Sequence, residues 1–298
     1  MKTDDNSSCI RSAPPSIATA LNHAVEQLHQ TSARLEAEIL LAFCLQQSRT
    51  YLRTWPERRL EPQQWQQYQG LIQQRHEGKP IAYIVGRKEF WSMDLQVSEA
   101  TLIPRPETER LVELALDRIP NDAHYTIADL GCGSGAIGLA LAKERSACHI
   151  IATDTSAAAL RIAQSNAHSL GIKNVSFVQA HWLNPFASRC FDLIVSNPPY
   201  IAPDDPHLHS GDLIFEPPTA LRSDNLGLQD LSTIIRQGGN HLKPGAWLLL
   251  EHGYNQARDV CDCLTQHGFQ AIQCERDYSG NDRVCMAQYS AQDSGNPK

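Results

Sequence analysis

The sequence is short of everything that would tie it to a membrane, an export route or a metal. Its longest apolar run near the carboxyl end, residues 246–250, falls far below the roughly 20 residues a membrane-spanning helix needs. Residues 1–10 are polar and acidic, without the apolar stretch of a secretory signal. The 9 cysteines are scattered, odd in number and form no C-x-x-C pair, which speaks against a disulfide framework and for a reducing compartment. The 12 histidines include no H-E-x-x-H and no paired Cys/His spacing, so no metal site is expected. His207 and His209 read as solvated loop residues. Positive charge is also in deficit, with 26 Lys+Arg against 33 Asp+Glu and a formal charge of -7, which argues against a broad surface for phosphate backbone. The expectation is a soluble, cytoplasmic, monomeric protein with no membrane and no direct DNA binding.

What is present is ordinary globular material, 42% hydrophobic and 20% charged, with enough chain for two domains. Residues 1–12 are Ser/Asp-rich and aperiodic and read as disordered. Ile17, Leu21, Val25 and Leu28 then share one helical face, and Leu35, Ile39, Leu40 and Phe43 make a second stripe. Trp65, Tyr68 and Ile72 make a third, opened by Pro62 and stopped before Gly78. Residues 1–78 are therefore a small helical domain, assigned to substrate recognition. Residues 79–102 read as a β-hairpin linker: a strand over 81–85, a turn at Gly86-Arg87, then Trp91, Met93, Leu95 and Val97 alternating with polar residues.

Residues 103–298 form the second domain. The stiff segment Ile103-Pro104-Arg105-Pro106-Glu107 leads into a helix that buries Leu111, Leu114, Ala115 and Ile119. Strands at 126–130, 149–154, 175–179, 191–197 and 246–251 then alternate with helices at 137–144, 157–169, 228–242 and 256–267. That alternation predicts an α/β fold, a mostly parallel sheet with helices on both faces. Strands at 269–274 and 284–289, with only a polar turn between them, predict an antiparallel pair at the sheet edge. Residues 291–298 read as a frayed tail.

Gly131-Cys132-Gly133-Ser134-Gly135 joins the first of these strands to its helix. Glycines let backbone approach a ligand closely, and the helix N-terminus offers free N–H groups. The G-x-G-x-G spacing is tighter than the G-x-G-x-x-G of dinucleotide folds. Asp154 ends the next strand about twenty residues on, where a carboxylate accepts from both hydroxyls of a ribose, although a solvated turn Asp fits as well. Trp182 follows the third strand and suits either an adenine face or the core. Cys132 sits at a helix N-terminus that lowers a thiol pKa, but with no His or second Cys nearby it reads as a small loop filler.

The fourth strand ends in Val195-Ser196-Asn197-Pro198-Pro199-Tyr200. Two successive prolines force a rigid, extended exit from the sheet. The exit presents the Asn197 amide, the Pro198 carbonyl, Pro199 and the Tyr200 ring in fixed relation. An amide oxygen beside a carbonyl oxygen is a pair of acceptors that suits a planar –NH₂ donor. Taken alone, the tetrapeptide equally fits a strand exit over a buried tyrosine.

The glycine loop, Asp154 and N-P-P-Y together resemble class I S-adenosylmethionine-dependent (Rossmann-like) methyltransferases that act on nitrogens of planar amide-like groups. With Glu89-Phe90-Trp91, the run from Thr101 through Pro104-Arg105-Pro106-Glu107-Thr108-Glu109, Phe215-Glu216-Pro217-Pro218 and Asn281-Asp282-Arg283-Val284, the chain resembles the release factor glutamine methyltransferase (PrmC/HemK) family over essentially its full length. The resemblance implies methyl transfer from S-adenosyl-L-methionine to the side-chain amide nitrogen of the glutamine in the Gly-Gly-Gln motif of class 1 peptide chain release factors, with S-adenosyl-L-homocysteine as product. It places Gly131, Cys132, Gly133, Ser134 and Gly135 around the cofactor, Asp154 at its ribose, Trp182 at its adenine and Asn197 beside it. Asn197 and Pro198 would accept the amide protons, with Pro199 and Tyr200 on the substrate side. One departure is visible: many methyltransferases carry Asp after the third strand to meet the adenine amino group, where this chain has Ala180-His181. N-P-P-Y is shared with adenine-N6 DNA methyltransferases, the main rival, which should also carry a target-recognition domain and a basic cleft. A non-catalytic binding module on the same fold is the second rival.

Overall fold

The computed structural model describes residues 13–28 and 32–290. They fall into two compact units, one ending at Val85 and the other beginning at Gly86. The disorder expected for 1–12 and the frayed tail expected for 291–298 lie outside the described residues.

The first unit is helical: α1 (Ile17–Leu28), α2 (Ala33–Leu45), α3 (Arg49–Thr54), α4 (Pro62–His76) and α5 (Ile81–Val85). Leu21, Leu28, Leu40, Leu41 and Ile72 form its core, and the buried Tyr68 hydroxyl donates to the Ala37 carbonyl at 3.1 Å. The buried side of α2 is not the stripe expected from its bulkiest residues. Leu35 and Phe43 are exposed, and Ala33, Ala37, Leu40, Leu41 and Cys44 face inward with Glu36 and Glu38. Both carboxylates are tolerated there because arginines meet them. Glu36 accepts from Arg75 at 2.8 Å, and Glu38 from Arg49 and Arg53 at 2.8 and 3.0 Å.

Residues 81–85 are helical rather than extended. The Pro80 carbonyl accepts from the N–H groups of Tyr83 and Ile84, which starts a helical turn and overrides the β-branched composition. The hairpin lies just beyond, in the second unit. Strand β1 (Arg87–Phe90) pairs with β2 (Met93–Gln96) in antiparallel register, and the tight turn is Trp91-Ser92, both left-handed, instead of Gly86-Arg87. The alternation of Met93 and Leu95 holds, since both are buried.

After a 3-10 turn at Pro106–Thr108, the second unit runs α6 (Glu109–Leu116), β3 (Thr126–Leu130), α7 (Ala136–Glu144), β4 (His149–Asp154), α8 (Ala157–Leu170), β5 (Val175–Gln179) and β6 (Phe191–Ser196). A single turn α9 (Asp224–Gly227), then α10 (Gln229–His241), β7 (Leu242–Glu251), α11 (Ala257–Gln266), β8 (Phe269–Arg276) and β9 (Asp282–Tyr289) complete it. The seven-stranded sheet has the order β5-β4-β3-β6-β7-β9-β8. Strands β5, β4, β3, β6 and β7 are parallel, and β9 inserts antiparallel between β7 and β8.

Continuous apolar strands follow from covering both faces. Ile127, Leu193, Val195, Leu249 and Met286 pack on one side with Leu111 and Leu139. The alternate residues Ala128, Ile194, Leu248, Leu250 and Cys285 pack on the other with Leu231, Ile235 and Leu264. The chain leaves β3 toward β4 and β5 and returns to β6 on the opposite side of β3. That reversal opens a crevice at the carboxyl ends of β3 and β6, where ligands bind in open α/β sheets.

Candidate active site

A cleft of about 1080 Å³ of empty space, partly open to solvent, occupies that crevice. Its walls include Gly131, Cys132, Gly133, Ser134, Asp154, Trp182 and Asn197. With Pro199, which also lines it, eight of the residues singled out from sequence are brought together. Gly135 sits just behind the wall, as the left-handed residue that opens α7.

The loop is held in shape from below. Gly131, Gly133 and Gly135 all have positive φ, and the Cys132 N–H donates to the Thr153 carbonyl at 2.8 Å. A Cβ at Gly131 would stand 3.2 Å from the Trp182 ring, so glycine sets how closely loop and indole approach. Asn166 of α8 ties the loop to the hairpin: its Nδ2 donates to the Ser134 and Gln96 carbonyls at 2.9 and 3.0 Å, while its Oδ1 accepts from the Gln96 N–H at 2.7 Å. Burial pushes the Cys132 thiol well above its ordinary pKa, so the loop-filler reading stands and the thiol is not activated.

Asp154 accepts a backbone N–H on each carboxylate oxygen, from Gly133 at 3.0 Å and Ser156 at 2.8 Å. Each oxygen keeps a further lone pair toward the cleft. Trp182 has two settings. It belongs to the core against Leu130 and Leu183, yet it lines the cleft, and its buried Nε1–H has no partner among the described residues. His181 lines the cleft beside it, with ring centroids 5.6 Å apart.

Asn197 stands where this cleft meets a second, smaller cavity of about 350 Å³, lined by Arg105, Pro198, Tyr200, Leu213 and Leu221. Its Nδ2 donates to Thr108 Oγ1 at 3.1 Å, which leaves Oδ1 without a donor among the described residues. The Tyr200 hydroxyl donates to Glu251 Oε1 at 3.3 Å, and the Tyr200 carbonyl accepts from Gln256 Nε2 at 3.0 Å. Burial pushes the Glu251 carboxyl up to about 7, opposed by the Thr108 and Tyr200 hydroxyls and the Arg283 guanidinium. Buried Glu216 accepts from the Ile103 N–H at 3.0 Å and pairs with Arg105, pinning the P-R-P-E-T-E segment over the second cavity.

Sequence reasoning quoted Arg105, Thr108 and Glu216 within motifs but gave them no role, and it passed over Glu251 and Asp129. Asp129 lies under the loop at 0% exposure. Its Oδ2 accepts from the Gly138 N–H at 2.8 Å, its Oδ1 has no partner among the described residues, and burial pushes its carboxyl up to about 7. A charged residue inside an apolar strand was the available signal for both acids.

Residues 19–86 match the PrmC N-terminal domain, and residues 121–283 match a methyltransferase domain. A release factor glutamine methyltransferase of Shewanella oneidensis is 45% identical over 275 residues, covering 92% of this chain and 96% of that protein. One from Escherichia coli (strain K12) is 46% identical over 270 residues, covering 90% of this chain and 97% of that protein. Among solved structures, a methyltransferase from Pyrococcus furiosus shares the fold, with a TM-score of 0.51 at 15% identity over 74% of this chain and 98% of its own.

Proposed function

Since the chain belongs to the release factor glutamine methyltransferase family, we propose that it methylates the N5 amide nitrogen of the glutamine in the Gly-Gly-Gln motif of class 1 peptide chain release factors. S-adenosyl-L-methionine is the methyl donor. It supplies, when bound, a carbon already activated by a sulfonium. The cleft fits that molecule: a glycine-rich turn that lets backbone come close, a carboxylate beside it with lone pairs to spare, and an indole ring in the wall. Gly131, Cys132, Gly133, Ser134 and Gly135 would surround the amino-acid end, Asp154 the ribose and Trp182 the adenine. His181 and the backbone at Ala180 would stand in for the Asp that many methyltransferases use at the adenine edge.

An amide nitrogen is a poor nucleophile because its lone pair is delocalised. Asn197 Oδ1 and the Pro198 carbonyl would each accept a hydrogen bond from one of its N–H groups. As the nitrogen lends its lone pair to the new N–C bond, with the C–S electron pair going to sulfur, the nitrogen turns electron-poor and its N–H groups become stronger donors. Both acceptors bind that state more tightly than the resting amide. The displaced proton leaves to solvent. Pro198 and Tyr200 line the second cavity on the substrate side, Pro199 lines the main cleft beside Asn197, and Arg105 in the second cavity meets the polar backbone of the incoming loop. The helical unit contacts the rest of the release factor, and the enzyme works in the cytoplasm as a monomer without binding DNA.

One observation carries the reading: Asn197 joins the two cavities with its nitrogen tied to Thr108 and its oxygen unused. The test is transfer of labelled methyl to recombinant release factor, to its Gly-Gly-Gln Gln→Ala variant and to duplex DNA. Label on the intact factor alone is expected. Label on DNA, or on the Gln→Ala factor at the same rate, would remove the proposal.

A further inference from the structure

Away from the cleft, four cysteine and histidine side chains converge at the edge of the sheet. His252 follows β7, Cys274 is on β8, Cys285 is on β9 and Cys261 is on α11. His252 Nε2 lies 3.5 Å from Cys274 Sγ and 3.3 Å from Cys285 Sγ, and Cys261 Sγ lies 3.5 Å from Cys285 Sγ. The three groups of His252, Cys274 and Cys285 are mutually within 4.8 Å. All of the eight described cysteines are free, so no disulfide uses these thiols.

The spacing is that of a ligand set. Metal–sulfur bonds of about 2.3 Å and metal–nitrogen bonds of about 2.0 Å at a tetrahedral angle put sulfur about 3.5 Å from nitrogen and sulfurs about 3.8 Å apart. The histidine is also oriented for the task. Its Nδ1 lies 2.8 Å from the Gly253 carbonyl, which only accepts, so Nδ1 carries the proton and the Nε2 lone pair faces the sulfurs. A ring N–H held by a backbone carbonyl is the usual second support of a metal-bound imidazole. His252 and Cys285 are fully buried, while Cys261 and Cys274 are half-buried and give an ion a way in.

We propose that His252, Cys274 and Cys285 form a three-residue structural site for a thiophilic divalent ion, zinc(II) by ligand chemistry, with water as the fourth ligand. Two thiolates with one imidazole select zinc over magnesium, calcium or manganese, which take oxygen. Binding deprotonates the thiols, and the protons go to solvent. The ion would staple the end of β7 to β8 and β9, next in sequence to Glu251 behind Tyr200.

The test is titration of the reduced, metal-stripped full chain with cobalt(II), followed by displacement with zinc(II). One equivalent of cobalt should give a thiolate charge-transfer band and the intense visible bands of a tetrahedral ion, and zinc should raise the melting temperature by at least about 4 °C. Cys274→Ser should weaken binding at least about 100-fold, while Cys263→Ser, on α11 and outside the cluster, should change nothing. Should Cys274→Ser fail to fold, alkylation of the unmodified chain decides: zinc should protect Cys274 and Cys285 and leave Cys263 reactive. A colourless titration, a spectrum unchanged in Cys274→Ser, or oxidation of Cys261 and Cys285 to a disulfide in a chain that holds no zinc would each overturn the site.

Discussion

Asn197 Nδ2 donates to the hydroxyl of Thr108 at 3.1 Å, and that single bond decides which end of the amide faces the cleft. A flipped amide would turn an –NH₂ toward a substrate –NH₂ and lose the acceptor on which the proposed chemistry rests.

Thr108→Val keeps the shape and deletes the acceptor. Turnover should drop about 10-fold with cofactor affinity unchanged, and Thr108→Ser should restore it. Asn197→Ala should cost about 100-fold or more in kcat, as the loss of one preorganised polar group does elsewhere. Steady-state kinetics on release factor with calorimetry on the cofactor separates the two quantities, and wild-type turnover in Asn197→Ala would remove that residue from the chemistry.

At Asp154 both carboxylate oxygens already accept an N–H. Asp154→Asn places an –NH₂ against one of those donors, so the loop shifts as well as the ribose contact. S-adenosylmethionine affinity should fall at least about 10-fold, with kcat at saturation changed much less. Calorimetric Kd values check this, and an unaltered Kd would mean the carboxylate faces no ligand.

Stability should depend on pH through two buried acids. Asp129 is raised from 3.8 to about 7 and Glu251 from 4.5 to about 7, in both cases chiefly by burial. Between these limits the folded chain holds protons that the unfolded chain has released, so stability falls as pH rises from about 4.5 and levels off above about 7. Each acid contributes on the order of 3 to 4 kcal/mol to that fall. Glu251→Gln keeps the partner of Tyr200 and should flatten the curve in urea unfolding at pH 5, 6, 7 and 8. An equally steep decline in that variant would show that Glu251 ionises normally.

Gly227 has φ +84°, and a Cβ there would overlap the Tyr200 carbonyl oxygen. Gly227→Ala should therefore displace Tyr200, cost more than about 2 kcal/mol and raise KM for release factor. Gly171 has a similar φ of +69° with nothing within 4 Å, so Gly171→Ala should cost only about 1 kcal/mol and leave KM alone. Equal losses in the two variants would show that backbone strain alone, not Tyr200, is at work.

The sheet was legible because its inner strands, β3 and β6 above all, bury both faces and every strand is punctuated by turns. The strands expected at 126–130, 149–154 and 175–179 appear with those bounds. Local composition misled where a backbone contact outweighed it. The Pro80 carbonyl draws residues 81–85 into a helix, and arginine pairing turns Glu36 and Glu38 of α2 inward in place of Leu35 and Phe43. The glycine loop, Asp154 and Asn197 could be read because their residue types are tied to local geometry. Thr108 and Glu251 could not, because their partners Asn197 and Tyr200 lie 89 and 51 residues away along the chain. The histidine–cysteine cluster was hidden for the same reason, being assembled from β8, β9 and the residue that follows β7.

Because β9 lies between β7 and β8, the penultimate strand of the chain has no place in the sheet until the last one arrives. A polypeptide growing from its amino end thus carries an open, adhesive border along β7 until residues 282–289 have been delivered. Loss of so short a stretch would strip two strands rather than one, so nascent chains cut just before Asp282 should clump, whereas those ending just after Tyr289 should not.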